Sequence, residues 1–206
     1  NSARVTAQDR KNMGKKKILF THAREAFQVV AKKYSFLSYS YPSAKPSLFS
    51  YAGNYLGFQG YYNPFSGEAQ VNTTVPIILQ PFVTTHEIAH QLGYAKENEA
   101  NFVGFLAAEQ APSAMVRYSM YFDMYNYSLR EMGRRDSAQA RKYFNDLPDQ
   151  VKQDFAEYRE FFRKHRNPLE QVITWGYGHF LKANNQPAGK ETYNEVVAWL
   201  IAYYRL

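Results

Sequence analysis

The sequence predicts a mainly α-helical (α+β) domain, with a small β portion ahead of its central helix and a helical bundle toward the C-terminus. Three observations predict it. From Pro76 onward, apolar residues recur at the spacing of one helix face in almost every segment. From Tyr39 to Pro64 the chain is rich in Ser, Pro, Gly and Tyr, with few helix signals, so loops and short strands are expected. Glu68 to Thr74 (EAQVNTT) alternates polar and apolar residues, which is the period of a strand. The chain has 206 residues, 45% of them hydrophobic, enough for one domain with a good core. The reading is a single domain over 1–206. It has a loose basic N-terminus (1–17), a β-containing lobe with the central helices (18–110) and a helical lobe (111–206).

The elements follow in order. Ala23 to Tyr34 has helical spacing, with Phe27, Val30 and Ala31 apolar. Gly53, Gly57, Gly60 and Gly67 mark turns. The strand at Glu68 leads directly into a helix starting near Gln80-Pro81, with Pro81 in the first turn and Gln80 or Thr84 as cap. Phe82, Val83, Ile88, Ala89 and Leu92 would bury it, and Gly93 is a natural stop. A second helix runs from about Lys96 to Gln110. Pro112 begins a third, to about Met132 before Gly133. Its Met115, Tyr118, Met120, Tyr121, Phe122, Met124 and Tyr125 suggest burial between other helices. Asp136 to Asn145 is a shorter helix. Pro148 opens another to about Arg166, cored by Val151, Phe155, Tyr158, Phe161 and Phe162. Pro168 to Lys182 is a further helix, ended by the turn Asn184 to Gly189. Glu191 to Arg205 is the last, with Val196, Val197, Leu200, Ile201 and Tyr204 inward.

The central helix carries His86-Glu87-Ile88-Ala89-His90, an H-E-x-x-H pattern. Residues four apart share a helix face, so His86 and His90 can bind one Zn²⁺ as a pair. Glu87 then lies beside the metal, where a general base takes a proton from an activated water. A catalytic zinc takes three protein ligands and a water. The sequence contains no cysteine, which excludes thiolate ligands and disulfides. The H-E-x-x-H-x-x-G-x-x-H pattern is matched up to Gly93, but its third histidine would fall on Lys96. The nearest carboxylates are Glu97 and Glu99, which point about 200° apart on a helix. Glu97 is the preferred third ligand and Glu99 the alternative. Asn101 lies on the Glu97 face and is placed to hydrogen-bond a ligand imidazole. Gly104 and Ala108 continue that stripe, and their small size would let the two helices approach closely. The strand at 68–74 is the candidate for binding substrate backbone along a sheet edge. Trp175-Gly176-Tyr177-Gly178-His179 supplies the candidate oxyanion donors, Tyr177 or His179, with Tyr193 a second choice.

Glu97-Asn98-Glu99-Ala100-Asn101 resembles the E-x-E-A-D segment of gluzincin peptidases related to the membrane-bound CAAX-prenyl and heat-shock proteases. The resemblance implies that Glu97 is a ligand and that Asn101 stands where an aspartate supports the site. A wider resemblance covers PSLFSYAGNYLGFQGYYNPFSGEAQVNTT, HEIAHQLGYAKENEANFVGFLAA and YNEVVAWLIAYY. These segments are similar to the bacterial domain-of-unknown-function 3810 family, whose members look like zinc peptidases. That likeness implies a zincin-like metallopeptidase domain, a zinc cofactor and a peptide or protein substrate. It also implies anchorage to the bacterial cell membrane through hydrophobic spans ahead of this domain. It implies no particular substrate.

Composition narrows the alternatives. The net charge is +7, with clusters at Lys15-Lys16-Lys17, Arg134-Arg135 and Arg163-Lys164-His165-Arg166. Such charge suits anionic lipid headgroups or nucleic acid. No nucleic-acid motif accompanies it and acids are interleaved, so no nucleic-acid partner is expected. The rival readings are a zinc-binding scaffold or sensor without hydrolysis, and a basic lipid- or nucleic-acid-binding module in which HEIAH is coincidental. No run of eighteen apolar residues is present, so nothing in the chain reads as a membrane-spanning helix.

Overall fold

A computed structural model of the chain describes residues 5–167 and 192–204. Among these residues, nine α-helices accompany one three-stranded mixed sheet near the N-terminus. The strands are β1 (Ala44–Pro46), β2 (Gly60–Asn63) and β3 (Glu68–Val71), in spatial order β1-β3-β2. β3 runs parallel to β1, with Ala44 opposite Ala69, and antiparallel to β2, with Gly60 opposite Val71. Alternation turns Ala69 and Val71 into the core, while Glu68 and Gln70 keep partial exposure. β3 is therefore central and paired along both edges. This corrects the expectation that it offers an edge to substrate: a paired strand has no free N–H or C=O row. β2 is the edge strand nearer the central helix.

That helix is α4 (Gln80–Gln91), buried over nearly its whole length from Gln80 to Ala89. Pro81 sits in its first turn as expected. The capping expectation fails. The Gln80 side chain turns back to donate to the carbonyls of Thr73 and Val75 (3.2 and 2.9 Å), and Thr84 donates to the Gln80 carbonyl at 2.7 Å. The cap comes from another helix: Ser119 Oγ accepts from the Phe82 amide at 3.0 Å. Ser119 lies on α6 (Ala114–Arg135), so that hydroxyl fixes α4 against α6 while satisfying a helix-terminal donor. At the other end, Gln91 donates to the Gly67 carbonyl at 2.6 Å and accepts from the Tyr39 hydroxyl at 2.6 Å. The sheet is thus tied down along α4.

Around this pair the core divides in two. One cluster joins α2 (Lys16–Val30), α4, α5 (Glu97–Glu109), α6 and α9 (Thr192–Tyr204) through Phe27, Ile88, Phe105, Met120 and Val196. The other joins β3, the start of α4, α6 and α8 (Asp149–His165) through Val71, Ile78, Phe122 and Phe155. On α9 the inward face is Val196, Leu200 and Tyr203, whereas Ile201 and Tyr204 are 48% and 44% exposed. The expected stripe is rotated, because α9 packs on α5 through Phe102–Trp199 and Phe105–Tyr203 ring contacts.

Four further boundaries differ. α2 runs from Lys16 to Val30, where a helix from Ala23 to Tyr34 was expected. Residues 7–13 form a helix, α1 (Ala7–Met13), within the stretch expected to be loose. A capping box starts it: the Thr6 hydroxyl accepts from the Asp9 amide and the Asp9 carboxylate from the Thr6 amide. Met13 is fully buried. Arg10 forms a two-pronged bond to Asp154 on α8 (2.9 and 2.7 Å), and Tyr118 on α6 donates to the same carboxylate. A second unexpected helix, α3 (Ser50–Leu56), lies in the Gly- and Ser-rich region. Finally, α6 runs through Gly133 to Arg135, because Asp136 both ends it and caps α7 (Ser137–Asn145) by accepting from the Gln139 amide. The expected helix at 168–182 and the turn at 184–189 lie outside the described residues.

The Arg10–Asp154–Tyr118 group ties α1, α6 and α8 with one buried carboxylate, whose side chain is 3% exposed. Removing it strands a guanidinium. Asp154→Ala is expected to destabilise the fold by about 3 kcal/mol, and Arg10→Ala/Asp154→Ala by less than the sum of the single changes. Urea denaturation of the four proteins measures this.

Candidate metal centre

α4 and α5 are the most extensively packed pair of helices. α4 ends in a Schellman turn: Gly93 takes φ 102°, its amide donates to the His90 carbonyl, and the Tyr94 amide donates to the Ala89 carbonyl. Only glycine enters that region freely, so the expected stop at Gly93 is met for the expected reason. Four residues after Gly93 α5 begins, with Glu97 in its first turn, where the positive end of the helix dipole favours a carboxylate. Gly104 lets α5 lie against α4, since a Cβ there would sit 3.2 Å from the backbone N and Cα of His86. The close helix approach expected from that small residue is present.

The turn brings three side chains together. Ligand atoms of His86, His90 and Glu97 all lie within 4.8 Å of one another. The two Nε2 atoms are 3.1 Å apart. Glu97 Oε2 lies 3.4 Å from His86 Nε2, and Oε1 lies 3.7 Å from His90 Nε2. This group could hold a metal ion; two imidazole nitrogens and a carboxylate oxygen suit zinc. Glu99 stands apart, paired with Lys96 at 3.1 Å on the outer side of the helix. His90 Nδ1 donates to the Tyr94 carbonyl at 2.7 Å, which turns Nε2 toward Glu97. The Schellman turn therefore also sets the His90 ring, a role that side-chain motif reading missed because the partner is backbone.

Electrostatics in the group are strongly coupled. Burial disfavours a charged His86 ring, but its hydrogen bond to the Glu97 carboxylate and the charges of Glu87 and Glu97 outweigh it and raise the ring to about 9. Burial would also raise Glu97, yet its hydrogen bonds to His86 and His90 hold it well below the usual carboxylate range. Glu87 is 4% exposed, and burial pushes it up to about 7 against the pull of both histidines. Its Oε2 has no hydrogen-bond partner in the protein, nor does His86 Nδ1. Asn101 is buried and stabilises the charged His86 ring, but no hydrogen bond of normal geometry joins it to Nδ1.

Two other residues at the site carry no motif. Gly60 on β2 lies against Glu87, since a Cβ there would be 2.5 Å from Oε1. Asp123 on α6 is half-buried as a residue, but its carboxyl is enclosed and burial raises it to about 6, with His86 close enough to pull it down. The available signal for Asp123 was a single acid within the apolar run from Met115 to Tyr127. Tyr177 and His179 lie outside the described residues, as does the Tyr193 side chain.

The fold and the site define a mainly helical α+β domain with a His–His–Glu group, able to bind a metal, at a two-helix turn. The family model for "Protein of unknown function (DUF3810)" matches residues 1–201, and the chain belongs to that family. Neither the curated proteins nor the solved structures contain a match to it.

The coupled charges make metal binding proton-linked. At pH 7 the charged His86 ring must lose its proton before Nε2 can coordinate, and the metal favours loss of the Glu87 proton too. Titration calorimetry with zinc in two buffers of different ionisation enthalpy should give release of about one to two protons at pH 7, falling toward none by pH 10. The metal-free protein has a matching pH dependence. His86 and Glu87 are both raised, from 6.5 to about 9 and from 4.5 to about 7. Each contribution is whole below the ordinary value and is lost as pH rises through the folded one. Glu97 contributes constantly above its ordinary value of 4.5. The Tm of metal-free protein should therefore fall between pH 6 and pH 9, and the His86→Ala/Glu87→Ala variant should flatten the curve.

Proposed function

We propose that this domain is a gluzincin-type, zinc-dependent metallopeptidase. The observation that carries the reading is the convergence of His86, His90 and Glu97 within 4.8 Å, one residue away from a buried glutamate. The donor set fits the ion: three protein ligands leave a fourth position for water or substrate. When bound, zinc supplies Lewis-acid chemistry, lowering the pKa of a water and polarising a carbonyl.

The protein groups have separate tasks. His90 is held by the Tyr94 carbonyl so that Nε2 faces the site. Glu97 stays anionic and balances positive charge. Glu87 takes the proton of the attacking water and passes it to the leaving amine; its burial beside the ligands favours taking up that proton. An extended peptide chain is the substrate class, laid along the outer edge of β2, since β3 is paired on both sides. Tyr177 or His179 remains the proposed donor to the developing oxyanion.

Membrane anchorage belongs to the same reading. The net charge of +7 suits a surface of anionic headgroups. Among the described residues no helix is long and apolar enough to cross a bilayer, so a spanning segment would lie outside them. One observation favours a second reading, a zinc-binding scaffold without hydrolysis. Asn101 is neutral where an acid would polarise His86, and His86 Nδ1 has no protein partner.

The two readings part on one set of variants. Metal content is measured by mass spectrometry on protein purified without a chelating column, and hydrolysis on a mixed peptide library. Wild type should hold about one zinc, and Glu97→Ala should lose it. Glu87→Gln should keep it and lose hydrolysis by more than about 1000-fold. Zinc in wild type without cleavage of any peptide would favour the scaffold.

A further inference from the structure

A glycine inside a strand weakens it and commonly marks close approach by another group. Gly60, the first residue of β2, stands at such a close approach. Its partner across the ladder is Val71, which points into the core, so position 60 lies on the sheet face turned toward α4. There the space of a side chain is already filled. A Cβ on Gly60 would lie 2.5 Å from Oε1, 2.6 Å from Cγ and 2.7 Å from Cδ of Glu87. Real Cβ atoms do not approach so closely, and Glu87 has little room to move away. It is 4% exposed and its Oε2 makes no hydrogen bond. With no hydrogen bond at Oε2, the seat of that oxygen is set by packing.

We infer that Gly60 is a positioning residue: the missing side chain on edge strand β2 is the seat of the Glu87 carboxylate. The inference extends the peptidase reading, because the carboxylate so seated is the proposed general base, but its geometric part stands without hydrolysis. Edge strand and base are then coupled. The strand proposed to carry substrate backbone also sets where the proton acceptor sits, with no side chain between them.

A thermodynamic cycle on the whole chain tests the seat: wild type, Gly60→Ala, Glu87→Ala and Gly60→Ala/Glu87→Ala, each metal-free, followed by thermal denaturation. Gly60→Ala should lower Tm by roughly 3–10 °C where Glu87 is present, from overpacking. With Glu87 cut back to alanine, the same change should cost nothing or raise Tm, because alanine fills the vacated space and suits a strand better than glycine. If Gly60→Ala fails to fold and the double variant folds, the seat is supported. Equal losses in both backgrounds, no loss in either, or a double variant that also fails to fold would overturn it.

Where wild type hydrolyses a peptide, Gly60→Ala should keep zinc within about twofold of wild type and lose kcat at least tenfold with little change in KM. Unchanged kcat would overturn the positioning role. If wild type cleaves nothing, the peptidase reading fails alone, and the Tm cycle still decides the seat.

Discussion

A carboxylate on one helix must reach two imidazoles on another, and that requirement sets the spacing of α4 and α5. Every other feature of the site depends on it. Gly93 reverses the chain within a few residues, so Glu97 begins α5 almost level with His90. Gly104 removes a Cβ that would crowd the helices apart, at the backbone of His86 itself. A side chain at Gly104 would crowd the His86 backbone, and one at Gly93 would strain the turn. The site is thus a property of the turn and the helix contact, more than of any single ligand.

The rest of the fold holds α4 in place for that contact. Ser119 caps it from α6, Gln91 fastens its far end to the sheet, and the helix is buried on nearly every side. Burial then acts on the chemistry. In a poorly solvated setting Glu97 is held anionic and His86 is held charged, each by the other's charge, without a metal. A cation entering such a group replaces protons already there, which gives binding and folding the same electrostatic origin.

Much of this was legible in the sequence, and the failures have physical reasons. Periodic apolar spacing located α4, α5, α6 and α8, because long amphipathic helices leave a repeating trace. The His86–His90 spacing and the Glu97–Asn101–Gly104 stripe were legible because helix geometry fixes which residues share a face. What escaped were features defined across the chain. The α1 capping box spans only Thr6 to Asp9 and sat in a stretch whose charge suggested disorder. The central place of β3 depends on β1, whose three residues carry no pattern. The Tyr94 carbonyl that fixes His90 is backbone, and the Gly60 contact with Glu87 is the absence of a side chain; neither has a residue-type signature.

Three buried side-chain polar atoms among the described residues have no partner in the protein, and two belong to the consecutive residues His86 and Glu87. Each such atom costs about 1–3 kcal/mol, so folded domains keep few of them. A helix selected only for packing would place apolar residues there, as α4 does at Ile88 and Ala89. A purely structural metal site would be expected to keep the three candidate ligands and dispense with Glu87, which is not among them and has an unbonded oxygen. Glu87 nevertheless occupies a space that an edge-strand residue leaves open for it. Local cost retained at one point, with backbone fitted around it, is the pattern expected of a group kept for its reactivity. On the proposed peptidase reading, that is the environment of a proton acceptor.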